Sequence, residues 1–250
     1  MEDYNLIIGI HSIICALQNP SRKVIKLVGT EDGLAEIKKQ TNLTGVNTEM
    51  YATHKVQEEA KLYFRDLDLE YQRVPSGVFL ICSALEVHDV SVLYKAVETK
   101  ENLKILCLDQ VTDVHNAAAI LRTASFYGVD YVVIPDKRSF GLTPSFFRIA
   151  SGATEFVPLV GVSKLTRTMV KLKELGVNCL ALSEHVKGEL APKQFEKQST
   201  CLVFGREDVG ISNAVLRVVD NHISLKSLGD TKSLNVSIAA AITMEKCFIS

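Results

Sequence analysis

From residue 104 onward the chain alternates short apolar runs with stretches whose apolar residues recur at helical spacing. KILCLD at 104–109 reads as a buried strand, followed by a helix over 116–126 and a strand over 131–134. FVPLV at 156–160 precedes a helix over 164–175, and NCLALS at 178–183 and TCLVFG at 200–205 are further strands. A helix from Ser212, a strand over 222–225 and a last helix opening at Ser233 and staying small and apolar through Ala241 complete the series. Near-continuous apolar strands separated by helices predict a parallel sheet with helices on both faces.

The first 70 or so residues read as a smaller α/β unit, with a helix over 11–17, a strand over 24–28 and a helix over 34–39. The polar stretch 66–73 reads as a linker, and Pro75-Ser76-Gly77 as a break. VFLICSAL at 78–85 then opens a second domain, with a helix over 90–97 behind it. The expected division is 1–72 and 77–250.

Composition narrows the function classes. With 28 Lys and Arg against 29 Asp and Glu, overall charge does not announce a nucleic-acid partner, so any such affinity rests on local patches. No two of the six cysteines form a CxxC pair, which argues against a zinc site, and no metal is expected. Cys107, Cys179 and Cys201 each fall in an apolar strand-like run, as buried free thiols do, and this favours a reducing compartment. The acidic opening MEDYNLIIGI does not read as a signal peptide, and no apolar run reaches the roughly 18 residues of a spanning helix. The expectation is a cytoplasmic protein. No GxGxxG follows any strand, so the common dinucleotide fingerprint is missing.

Three blocks lie at predicted strand-to-helix junctions, where loops line the ligand crevice of an open parallel sheet. In NAAAILR at 116–122, Asn116 reads as a helix N-cap, and Arg122 as either a solvated charge or a guanidinium directed at an anion. In FGREDVGIS at 204–212, Gly205 and Gly210 permit tight turns and close backbone approach around Glu207, which lies just ahead of a helix start. In SLNVSIAAA at 233–241, Ser233 reads as an N-cap with Asn235 in the first turn, whose free N–H groups suit an anion. The segment 137–154 holds three basic residues (Lys137, Arg138, Arg148), no acidic one, and three phenylalanines. That mixture suits RNA, although Phe146 and Phe147 also read as core.

Together these blocks resemble the SpoU branch of the SPOUT RNA methyltransferases, whose pattern is NxGAIxRTA, then FGxExxGxS, then SLNVSxAA. The likeness runs from about Gly77 to the C-terminus, and SGATEFVP at 151–158 also resembles the family's segment between the first two blocks. The small N-terminal unit, with GIHS at 9–12, resembles the substrate-binding domain of bacterial ribosomal-RNA guanosine 2′-O-methyltransferases.

The resemblance implies a parallel sheet with a C-terminal trefoil knot, S-adenosylmethionine bound in the knot, a homodimer, and methyl transfer to a ribose 2′-hydroxyl. It assigns the cofactor to backbone at Gly205, Leu225 and Leu234, with Gly210 in the same loop. It assigns catalysis to Asn116, Arg122, Glu207, Ser233 and Asn235, one arginine acting across the dimer.

The chain departs from the pattern at Ala118, where the family has glycine, and at Leu225-Lys226-Ser227, where it has Ile-Pro-Met. Lys226 thereby joins Lys137, Arg138 and Arg148 as an RNA-contact candidate. The substrate this implies is a guanosine of 23S ribosomal RNA. Transfer RNA, or a non-catalytic RNA-binding assembly factor, are the alternatives.

Overall fold

A computed structural model describes residues 4–183, 198–219, 221–231 and 233–249. They form two compact units. One comprises the chain up to Glu86 together with Leu142–Phe156; the other comprises Val87–Gly141 and the chain from Val157 on. In chain order the elements are β1 (Tyr4–Ile8), α1 (Ile10–Gln18), β2 (Val24–Gly29), α2 (Glu31–Lys38), β3 (Thr48–Met50), α3 (Thr53–Asp66) and β4 (Val78–Ser83). There follow β5 (Val87–Asp89), α4 (Val90–Thr99), β6 (Lys104–Asp109), α5 (Val114–Phe126), β7 (Tyr131–Pro135), α6 (Pro144–Ala150) and β8 (Leu159–Val162). The last are α7 (Leu165–Glu174), β9 (Asn178–Leu182), β10 (Thr200–Gly205), α8 (Asn213–Leu216), β11 (Asn221–Ile223) and α9 (Val236–Phe248).

The first unit is a four-stranded sheet in the order β1-β4-β2-β3. β4 is antiparallel to both β1 and β2, and β2 is parallel to β3. Side chains alternate along each strand. Ile7, Leu27 and Leu80 therefore meet α1, α2 and Phe147 of α6 on one face, while Leu6, Val28 and Phe79 meet Val56, Ala60 and Phe64 of α3 on the other.

This corrects the expected boundary. The run 78–85 does not open the second domain; it supplies a central strand of the first, because both of its neighbours need its backbone groups. The expected linker at 66–73 is also packed: Leu69 and Tyr71 lie against the α3 cluster, and the Tyr71 hydroxyl donates to Gln57 Oε1 at 2.6 Å.

The second unit is a seven-stranded sheet in the order β11-β9-β10-β6-β7-β8-β5, parallel at every pairing. Cys107, Val133, Cys179, Cys201 and Val203 face a core shared with α4, α7 and α8. α9 packs beside β10 and against α5. The strand order reverses between β6 and β10. A crevice at such a point opens at the C-terminal ends of the strands, and those ends carry Asp109, Ser183, Gly205 and Ser224.

Local corrections follow from capping. α5 begins at Val114, and its N-cap is Asp113, whose carboxylate accepts from Asn116 N at 2.8 Å. α9 begins at Val236 and not at Ser233, with Asn235 as its N-cap. The helix after Ser212 is a single four-residue turn.

Candidate active site

Beyond the ends of β9, β10 and β11 lies a cavity of about 310 Å³. Its apolar walls include Leu182, Phe204, Val209, Ile211, Leu225 and Leu234, and its charged side chains are Arg206, Glu207, Asp208 and Lys226. Gly205, Gly210 and Ser233 also line it. A volume near 300 Å³, mostly apolar with a few polar groups, is the format of a small-molecule site.

The 205–211 loop is shaped by its two glycines. A Cβ at Gly205 would stand 2.1 Å from Gly210 C and 2.2 Å from Ile211 N, so the returning backbone occupies the space a side chain needs. Gly210 has φ +69 with open space around its Cα, so conformation and not crowding selects glycine there. Paired bonds between Arg206 and Gly210, N to O at 3.1 and 2.8 Å, close the turn. Asp109, buried at the end of β6, accepts from Ser212 N at 2.7 Å and anchors the loop's far end.

Asn235 joins the three sequence blocks. Its Nδ2 donates to Asn116 Oδ1 at 2.9 Å and to Glu207 Oε1, while its Oδ1 accepts from Ser237 N at 2.9 Å. Glu207 Oε1 also accepts from Val236 N at 3.3 Å. The carboxylate therefore faces the N-terminus of α9, not that of the helix after Ser212. The protein's own groups occupy the N–H donors of Val236 and Ser237 in the first turn of α9, which the sequence left open for a ligand. An anion at a helix N-terminus is favourable, so this arrangement fixes Glu207 and Asn235 rigidly.

Residues 104–245 match the SpoU rRNA Methylase family. The chain belongs to that family. Full-length relatives include the 23S rRNA (guanosine-2′-O-)-methyltransferases RlmB of Pseudomonas putida and Shewanella oneidensis, each 30% identical over 98% of this chain and 96% of the relative. Among solved structures, the SpoU methyltransferase AviRb from Streptomyces viridochromogenes, in complex with AdoMet, superposes with a TM-score of 0.73 at 20% identity. That alignment covers 97% of this chain and 88% of AviRb. The fold is that of the SpoU methyltransferases, an α/β unit on a parallel seven-stranded sheet.

The three SpoU blocks thus converge, but not every expected residue joins them. Glu207, Ser233, Gly205, Gly210, Leu225, Leu234 and Lys226 line the cavity, and Asn116 and Asn235 stand behind Glu207. Arg122 is exposed on α5, two turns beyond Asn116, and its guanidinium has no ion-pair partner among the described residues.

The basic stretch 137–154 is divided between the two units. Lys137 and Arg138 are exposed after β7 in the second unit, whereas Arg148 is exposed on α6 in the first. Phe140, Phe146 and Phe147 are buried and offer no ring for base stacking.

The sequence reading missed Asp109, Asp113, Arg206 and Asp208. An acid ending an apolar strand was the one available signal, at Asp109. Arg206 and Asp208 form a bidentate pair, Nε to Oδ1 and Nη2 to Oδ2 at 2.8 Å, and the guanidinium holds the Asp208 carboxyl below the usual carboxylate range. Among the described residues no group of His, Cys, Asp and Glu has the makings of a metal site, and no helix is long and apolar enough to cross a membrane.

Proposed function

We propose that this chain methylates the ribose 2′-hydroxyl of a guanosine in 23S ribosomal RNA, using S-adenosylmethionine. The observation that carries this reading is the full-length alignment with proteins named for that activity, the first unit included. The cavity fits the cofactor in size and chemistry. Apolar walls suit an adenosyl group, backbone at Gly205, Leu225 and Leu234 suits its hydrogen-bonding edge, and charged groups suit its amino-acid end.

When bound, S-adenosylmethionine supplies a methyl group already activated by a sulfonium, so the protein mainly orients the reactants. Glu207, Ser233 and Asn235 form the surface that holds the ribose, with Asn116 positioning Asn235 from behind. A guanidinium stays protonated at working pH. Arg122 therefore acts on the attacking oxygen by stabilising the developing alkoxide, or by holding an RNA phosphate that shares the departing proton.

The first unit is the RNA-binding domain, with Arg148 on its surface; Lys137, Arg138 and Lys226 are the phosphate contacts of the second. We further propose that the C-terminal segment is threaded as a trefoil knot. The insertion of β10 between β6 and β9, and the press of Gly210–Ile211 on Gly205, support this.

The homodimer would cover the outer face of α5 and α9. Phe126, 81% exposed, stands one turn beyond Arg122 on α5, and Ile238 of α9 is 52% exposed. Exposed apolar side chains on both helices are what such an interface would cover. Arg122 on that face would then serve the partner's cavity. The cytoplasm, where ribosomal RNA is assembled, is the expected compartment.

The test is transfer of labelled methyl from S-adenosylmethionine to total RNA from a strain lacking this protein. Alkali-resistant label in 23S RNA is expected, falling by about 10²–10⁴ in rate with Arg122→Ala. Label in transfer RNA would replace the substrate and keep the chemistry. Absence of both label and cofactor binding would defeat the reading.

A further inference from the structure

The four charged side chains of the cavity are not equivalent. Glu207 is committed to Asn235 and the N-terminus of α9. Arg206 and Asp208, one residue to either side, are bonded to each other, and their side chains are 39% and 64% exposed. Two opposite charges therefore sit together at the rim of a cavity whose remaining walls are largely apolar. The SpoU pattern leaves both positions open, so the pair is a property of this chain and not of the motif.

We infer that Arg206 and Asp208 recognise the zwitterionic amino-acid end of S-adenosylmethionine, exchanging their mutual ion pair for contacts with its α-carboxylate and α-ammonium. The inference rests on the cofactor reading above. An exposed ion pair contributes little to stability, so opening it costs little. In return the planar guanidinium meets a carboxylate in the bidentate geometry it already makes with Asp208, and Asp208 gains an ammonium. The exchange conserves charge on both sides; a lone cation would leave the ligand's ammonium unpaired. The turn does not depend on these side chains, because the Arg206–Gly210 backbone bonds hold it closed. The site is thus complementary to a ligand carrying both charges on one carbon, and it discriminates against an adenosyl ligand that lacks them.

Isothermal titration calorimetry on the full chain tests this with two probes that share the adenosyl group: S-adenosylhomocysteine, which has the amino-acid end, and 5′-deoxy-5′-methylthioadenosine, which does not. The unaltered protein is expected to prefer the former. That preference should shrink by about tenfold or more in Arg206→Met and in Asp208→Asn, with methylthioadenosine binding unchanged, and return only in part in Arg206→Lys, which keeps the charge but not the bidentate fork. S-adenosylhomocysteine lacking only its carboxylate should bind the unaltered protein about tenfold more weakly, a comparison that needs no variant. An unchanged preference in both variants would overturn the inference, as would its loss in Lys226→Met alone or an equal loss of both probes. If the unaltered protein binds neither probe, the cofactor reading itself fails. If it binds both and the variants behave like it, only the role of this pair fails.

Discussion

At Gly205 and Gly210 the same residue type answers two different demands, and substitution separates them. A methyl at Gly205 meets backbone that has no side-chain freedom to yield, 2.1 Å from Gly210 C. A methyl at Gly210 meets open space but keeps φ at +69. Gly205→Ala should therefore destabilise the second unit by about 3 kcal/mol or more, as severe overpacking does. Gly210→Ala should cost about 1–2 kcal/mol, the penalty for a left-handed L-residue. Thermal unfolding of both variants, followed by cavity-ligand titration, checks the order; equal effects would mean that the 205–211 contact yields.

Both glycines and Glu207 were legible in the sequence as a turn around an acid. The partner of that acid was not, since Glu207 is 28 residues from Asn235. Local reasoning gave it to the nearest helix. Asn116 was misread as a cap for the same reason, a good capping residue standing three positions inside a helix that Asp113 caps.

Elements follow local pattern closely where a strand is apolar throughout. The runs 104–109 and 200–205 are strands with those bounds, because a strand buried on both faces needs no alternation and stops where polar residues begin. α3 escaped detection because only Val56, Ala60 and Phe64 among its fourteen residues are buried, a narrow stripe in a polar helix.

The strand neighbours bring out a consequence that no single run contains. Cys201 of β10 lies directly opposite Cys179 of β9, and Cys107 belongs to the same core. Burial pushes the Cys107 thiol well above its ordinary pKa; the Cys179 hydrogen bond, then burial, does the same to Cys201. Both groups are raised in the folded state. Their contribution to stability is therefore whole below the unfolded thiol pKa of about 8.5 and is lost progressively as pH rises from there through the higher folded value. The second unit's unfolding temperature should fall between about pH 8 and 10, and the fall should be shallower in Cys107→Ala/Cys201→Ala. Parallel slopes in the two proteins would assign the alkaline loss to other groups.

At the scale of the whole molecule, sequence order and spatial order part company. Strand order cannot be read from periodicity, which yields elements but not neighbours. Nor did anything in the run 142–156 announce that it belongs with the first 86 residues. Besides Phe147 in the core and the bond from Ser12 Oγ to Phe147 O at 2.6 Å, its tie is an ion pair between residues 133 positions apart. Arg22 Nε lies 3.4 Å from Glu155 Oε2, with side chains 3% and 1% exposed.

Asn19 donates to the same carboxylate oxygen at 2.8 Å, Thr154 to the other at 3.1 Å, and Arg22 reaches Asn5 Oδ1 at 3.2 Å. Two charges removed from water gain little net stability from each other, but one left without its partner is costly. Glu155→Ala should destabilise the first unit by about 3–5 kcal/mol, and Arg22→Met/Glu155→Met should recover much of that loss by removing the second charge as well. Hydrogen exchange at β4 reads the first unit alone, because that strand pairs on both sides within it. Opening there should accelerate in the single variant and slow again in the double one. If the double variant is as labile as the single, the segment is held by shape and not by charge. A first unit expressed without residues 142–156 would then need only an apolar substitute for Phe147, and not a carboxylate for Arg22.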